Sequence, residues 1–256
     1  MFVISTEQMS LFKEAALRSF QNKMLDHLRD FSPLLFEAVG EEQMGKAIQF
    51  GIDQAGGHGF NLRGPVQFYL ELMLLFGSHF DSDPQYSWVG KILNDQDSGS
   101  QMQRAEMLYE KAIDYRKKVA GPDDTYTFEA LKNIGFMARQ PLTVSKNNFT
   151  HDMLQVIASL YPQKAAYVGR EGLEALIHKA MGGAQRQRFT TVRGAVLVTL
   201  LMFAFGHGCG VDPLYPWIAK SLKNETQPDP DLRARHLEKN ALTWLEHVLA
   251  NFDKDA

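Results

Sequence analysis

Phe76-Gly77-Ser78-His79-Phe80-Asp81-Ser82-Asp83-Pro84-Gln85-Tyr86-Ser87-Trp88 is followed, 129 residues on, by Phe205-Gly206-His207-Gly208-Cys209-Gly210-Val211-Asp212-Pro213-Leu214-Tyr215-Pro216-Trp217. The shared frame is Phe-Gly-x5-Asp-Pro-x-Tyr-x-Trp. The same offset holds on either side of it. Upstream, Pro33 pairs with Pro162, Val39-Gly40 with Val168-Gly169, Ile48 with Ile177, Phe60 with Phe189 and Leu72-Met73 with Leu201-Met202. Downstream, Lys91 pairs with Lys220, Leu93 with Leu222, Arg104-Ala105 with Arg233-Ala234, Leu108 with Leu237 and Val119 with Val248. A register that survives so many positions reads as a tandem duplication. The fold expected is all-α: a unit of roughly five helices copied once with a pseudo-twofold relation, plus a bridging helix. Residues 1–121 form the first unit, 122–146 the bridge and linker, and 147–256 the second unit.

Helical signals recur along the chain. Ser5-Thr6-Glu7-Gln8 has the form of a capping box. Met9, Phe12, Ala16, Phe20, Met24, Leu28 and Phe31 then repeat every three or four residues, and Ser32-Pro33 stops the run. Met44, Ile48 and Ile52 mark a second stripe that ends at Gly56-Gly57-His58-Gly59. Val66 to Phe76 is apolar nearly all round, as in a buried helix. Gln101 to Val119 is amphipathic, with Ala105, Leu108, Ala112, Ile113 and Val119 expected inward. Thr125 to Arg139 reads as the bridging helix, and Gln140 to Asn148 as a linker.

Composition narrows the function. Of 256 residues, 27 are Lys or Arg and 30 Asp or Glu, for a net charge of -3. That leaves no basic excess for sequence-independent binding to phosphates, and no nucleic-acid partner is expected. One cysteine, Cys209, excludes an internal disulfide and any multi-thiolate zinc site. The stretch Met1 to Glu7 has no basic n-region or long apolar run, and Ala195 to Phe205 is shorter than the roughly 20 residues of a membrane span. A cytoplasmic protein without membrane insertion is expected.

Within the repeated block, Gly77 and Gly206 are expected to end a buried helix in the left-handed conformation. Asp83 and Asp212 suit the N-cap of the next helix, Pro84 and Pro213 its first turn, and Trp88 and Trp217 anchor it. These eight residues read as a structural motif. Asp81 and Asp83 fail the calcium-loop pattern, with Tyr86 at the required glycine and Ile92 in place of the terminal Glu. No metal and no cofactor are expected. His207 and Cys209 lack an orienting third group and have Ser78 and Phe80 as first-half counterparts, so no catalytic residue is assigned and the chain is not expected to be an enzyme. Arg186-Arg188 and Arg233-Arg235 read as solvated faces. The variable positions between the fixed ones, His79, Phe80, Asp81, Gln85, His207 and Leu214, are the candidate partner-binding residues, since loops on a rigid scaffold carry recognition.

The first 95 residues carry a family likeness. Met1-Phe2-Val3-Ile4 ahead of Gln8-Met9, Met24-x2-His27-Leu28-Arg29, Gly40-Glu41-Glu42, Gly51-Ile52 and Phe76-Gly77-x3-Phe80-Asp81-x-Asp83-Pro84-x3-Trp88 are similar to small bacterial helical accessory proteins encoded in type VI secretion effector loci. The second half resembles them more weakly. Ser87 stands where that pattern has proline, and Pro216 keeps it. The resemblance implies a helical fold and a protein partner, an effector toxin or its chaperone, and no catalytic residues. The function expected is therefore an adaptor or co-chaperone for such an effector. The alternative is an immunity protein that inhibits a cognate toxin acting in the cytoplasm.

Overall fold

A computed structural model describes residues 5–95, 99–223 and 227–255, with side chains up to 250. Met1 to Ile4, which open the family likeness, lie outside the described residues. The described chain is helical throughout, with no strand. Its twelve α-helices run α1 (Thr6–Phe31), α2 (Pro33–Val39), α3 (Glu41–Gly57), α4 (Arg63–Phe76), α5 (Ser87–Asn94), α6 (Gln101–Tyr115), α7 (Thr125–Met137), α8 (Phe149–Leu160), α9 (Pro162–Arg186), α10 (Val192–Phe205), α11 (Pro216–Leu222) and α12 (Pro230–Asp255). Among the described residues none is long and apolar enough to cross a membrane.

Local chemistry sets the boundaries. Ser5 Oγ accepts from Gln8 N at 3.2 Å while Gln8 Oε1 accepts from Ser5 N at 3.0 Å, which starts α1. Ser100 and Gln103 repeat that box at α6. Pro33 and Pro162 open α2 and α9 where a missing N–H costs nothing. The α6 helix does not run evenly to Val119: a π-helical turn, Arg116–Ala120, takes over, and Gly121 at φ 79° with Asp123 and Asp124 at φ 49° and 56° turns the chain into α7. Positions 129 apart take matching backbone angles. Ser32 and Tyr161 sit at φ/ψ -144°/71° and -143°/75°, and Tyr86 and Tyr215 at -127°/47° and -126°/57°.

Burial follows the apolar stripes with two corrections. Met24 and Leu28 of α1 are buried, but its first three turns run past the body of the protein and leave Met9, Leu11 and Phe12 in solvent. Ile113, expected inward, is exposed, because α6 buries only Ala105, Leu108 and Ala112. One apolar core runs through both halves. It joins Leu28, Met44, Tyr69 and Leu108 to Met153, Leu176, Phe203 and Leu237.

Candidate functional site

The two repeated blocks meet at the centre of the molecule. α4 and α10 each end in a glycine of nearly identical geometry, Gly77 at φ/ψ 90°/155° and Gly206 at 89°/155°. This is not the left-handed cap expected: φ is positive but ψ is extended, a region open in practice to glycine alone. The lack of a side chain is needed twice over. A Cβ on Gly77 would strike the carbonyl oxygen of Phe205, and one on Gly206 would lie 2.9 Å from that of Phe76.

The aspartates clasp this contact. Asp83 Oδ1 accepts the N–H of Gln85 at 2.8 Å, the expected local cap, while its Oδ2 accepts the N–H of His207 from the other half at 2.6 Å. Asp212 answers in kind. Its Oδ1 accepts Leu214 N at 2.8 Å and Ser78 Oγ at 2.6 Å, and its Oδ2 accepts Ser78 N at 2.7 Å. Each carboxylate thus caps its own turn with one oxygen and holds the opposite corner with the other. Burial opposes ionisation at both, with different outcomes. At Asp83 burial is outweighed by His207, whose Nδ1 lies 3.3 Å away, and by the two backbone donors, so its carboxyl titrates below the ordinary aspartate value. At Asp212 burial prevails over the Ser78 and Leu214 bonds and raises it.

Around the clasp lie Asp81, already a candidate from the sequence, and several groups that the sequence did not single out. Asp81 accepts from Tyr69 Oη at 2.9 Å and sits 3.0 Å from His58 Nε2, which pins the loop to its own half. Lys164, a buried lysine whose first-half counterpart is Leu35, donates to the Phe203 carbonyl and lies 4.6 Å above the Phe203 ring. Burial, partly countered by Asp83, pushes its ammonium down to about 8. Tyr115 stacks edge-on against Phe76 and Tyr167. The only advance signal for Ser78 was its alignment with His207 in the repeat.

The partner-binding set divides. Phe80, Gln85 and Leu214 are inside the protein, so a partner meeting the folded chain does not touch their side chains. Phe80 packs on Tyr69, and Gln85 Nε2 donates to the Met202 carbonyl at 3.0 Å across the seam. His79, Asp81 and His207 are half-buried: His79 and His207 meet edge-on at the seam, with His207 also on Asp83, while Asp81 faces His58 and Tyr69 of its own half; burial lowers the pKa of the His79 imidazole against the pull of Asp212. In the structural set, Asp83 and Asp212 cap the short turns Pro84–Tyr86 and 213–214 and not the helices that follow, because α5 and α11 begin only at Ser87 and Pro216, with Tyr86 and Tyr215 as their N-caps. Trp88 and Trp217 meet Phe76 and Phe205 edge-on, both at 84°. Arg233 is not a free solvated cation: its guanidinium donates to the carbonyls of Gln187, Gln227 and Pro228 and ties two loop segments to α12.

Cys209 is buried, and burial with the nearby Asp212 and Asp83 pushes its thiol up to about 12, which leaves no thiolate at neutral pH. Among the described residues no group of three or more His, Cys, Asp or Glu is placed to hold a metal ion. The best-formed opening lies away from the seam. It is an apolar groove of about 100 Å³ where α7 crosses α10 and α12, lined by Leu131, Ile134, Leu142, Leu197, Leu200 and Leu245. One charge pair, Arg193 with Glu238, stands at its rim.

No protein-family model matches the chain, and no curated protein or solved structure is detectably similar to it.

Proposed function

We propose that this chain is a non-enzymatic, protein-binding scaffold of the cytoplasm, an adaptor or co-chaperone for a type VI secretion effector or its chaperone, built by duplication of one helical unit. The matched backbone angles and the reciprocal Asp83 and Asp212 bonds support the duplication. Two features support a binding role over a reaction. The buried carboxylates are occupied by backbone donors, and the single thiol is held protonated. The observation that carries the reading is the α7/α10/α12 groove. Its floor is leucine-rich, its rim carries the Arg193–Glu238 ion pair, and Ala204 lies open within it. Such a groove suits the apolar face of an amphipathic helix from the effector or its chaperone, with the ion pair at one edge setting direction.

The test is co-expression with each protein of the locus, followed by pull-down. Wild type co-purifies with an effector or its chaperone and raises effector stability or export. Ala204→Arg, which fills the groove with a charge while sparing the seam, lowers recovery at least tenfold. Unchanged recovery refutes the groove. Suppression of toxicity with export intact replaces the adaptor reading with an immunity protein.

A further inference from the structure

The second half covers a surface that the first half leaves bare. In the second half, Leu160, Leu197, Leu200, Ala204, Glu238 and Leu242 form one face across the end of α8 and the sides of α10 and α12. α7 lies over most of it and leaves Ala204 open: Leu131, Ile134 and Met137 share a groove with all of these except Leu160, and Asn133 Nδ2 donates to the Leu160 carbonyl at 3.2 Å. The positions 129 residues earlier are Phe31, Phe68, Glu71, Leu75, Tyr109 and Ile113. They also form one face. Phe68 and Tyr109 touch at 5.9 Å between ring centres, and Phe31 stacks on His27, which bonds Glu71 at 2.7 Å. Here, among the described residues, no helix takes the place of α7. Phe31 is 43% exposed where Leu160 is 4%, and Leu75, Tyr109 and Ile113 are each about half exposed.

The missing cover has a candidate in the same chain. Residues 5–19 occupy the register of 134–148, the end of α7 and the linker that folds it back. In the first half this segment does not fold back. It continues α1 as an arm, exposed at every residue from Ser5 to Ser19, with Met9 at 44% and Phe12 at 64%. Met9, Phe12 and Ala16 sit three and four apart, as Leu131, Ile134 and Met137 are three apart, so both helices present an apolar stripe of the same kind. Lys13 borders the arm's apolar stripe, while Glu106 and Glu110 flank Tyr109 and Ile113 on α6. A segment that covers its own half in one unit and points away in the other is the arrangement from which helix exchange between protomers arises.

We propose that two copies of this chain pair by exchanging α1 arms, each arm lying on the α4/α6 face of its partner with Met9 and Phe12 against Leu75, Tyr109 and Ile113. Arm and face are on the same half, so the exchange is reciprocal and closes as a twofold dimer without leaving either surface free to extend a chain of contacts. The inference rests on the duplication for its register, and it is independent of the groove: Ala204→Arg leaves the dimer intact, and arm variants leave effector capture through the groove intact.

Sedimentation velocity of the full chain at about 100 µM tests it. The expected species is twice the 28.9 kDa chain. Phe12→Glu on the arm and Ile113→Glu on the face, both at exposed positions, each give monomer with an unchanged helical circular dichroism spectrum. Mixing the two variants restores a dimer, because the Phe12→Glu chain keeps a good face and the Ile113→Glu chain a good arm. A Phe12→Cys chain oxidised with an Ile113→Cys chain gives the mixed disulfide pair. A wild-type monomer at this concentration overturns the proposal. So does a dimer lost in Phe12→Glu but kept in Ile113→Glu, which would mean arm-to-arm pairing, and so does an arm that engages an effector while the chain stays monomeric.

Discussion

At Asp83 two demands meet in one side chain. An aspartate before Pro84 and Gln85 is an ordinary turn cap, and that much follows from its neighbours alone. Its second oxygen is aimed at His207 N, a partner 124 residues away. No local pattern announces that contact; the duplicated Asp only hints that both corners are built alike. The same limit explains Phe80, Gln85 and Leu214. They vary between the two halves and so resemble recognition positions, but all three are buried, Phe80 against Tyr69 of its own half and Gln85 against the Met202 carbonyl across the seam. Asp83→Ala removes the acceptor for two backbone N–H groups in a buried site. Orphaned buried donors cost about 1–3 kcal/mol each, so the variant should lose roughly 3 kcal/mol or more in urea unfolding. Asp83→Asn keeps one acceptor oxygen and should fall between. A loss under about 0.5 kcal/mol for Asp83→Ala, the range of an ordinary surface substitution, would mean that the seam does not depend on the clasp.

Among the elements, helix boundaries were the most legible part of the chain, because capping boxes, prolines and glycine stops act within a few residues. The ends of α1, α3, α4, α7 and the 140–148 linker all follow from such signals. What each helix buries was less legible. Ile113 belongs to the apolar face of α6 by spacing and is exposed, since the element that would cover it is not supplied by its own half. Lys164 is a further case. Nothing in the sequence singles it out, and its burial against α10 is a tertiary result. Its Nζ donates to the carbonyl of Phe203, one of the last carbonyls of α10, which no helical N–H can reach. Burial lowers its pKa from 10.5 to about 8, so folding disfavours the charged form at neutral pH. The sign follows: the stability this group contributes is present above pH 10.5 and is lost as pH falls through about 8. At pH 7 the penalty is ~3 kcal/mol from the size of the shift, offset by the carbonyl bond at about 1 kcal/mol. Lys164→Met, a flexible side chain suited to the Tyr86 and Phe203 rings, should therefore unfold at higher denaturant than wild type at pH 7. Its advantage should narrow as pH rises from about 8 toward 10. A variant less stable than wild type at pH 7 would show that capping α10 outweighs the buried charge.

For the whole molecule, the repeat read from sequence and the architecture point to one folding unit with two parts. All-α content was legible because strand signals are scarce, the alternating Thr125-Tyr126-Thr127-Phe128 being absorbed into α7, whereas helical spacing recurs from Thr6 onward. Which surfaces of the two parts face each other was not, since a register says nothing about packing direction. The structure places the most nearly invariant residues, the Phe-Gly corners and their aspartates, against each other, and the core passes through that contact without a break. Each half therefore exposes more than an ordinary surface when alone. Separation would strand Asp83 and Asp212 with half their donors, open the Gly77 and Gly206 corners, and uncover Lys164, Tyr115 and Tyr167. Buried polar groups without partners and a core cut open both act against independent stability. Residues 1–121 and 122–256, expressed separately, should give weakly protected species without a sharp thermal transition. Co-expressed, they should recombine one-to-one into a complex that melts as a unit, and the intact chain should unfold in a single step by both circular dichroism and tryptophan fluorescence. Trp88 in the first half and Trp217 and Trp244 in the second give the fluorescence signal a reporter on each side. Two separated transitions in the intact chain, or a half that melts cooperatively by itself, would mean that the halves are autonomous domains and that the reciprocal clasp joins them without making them fold together.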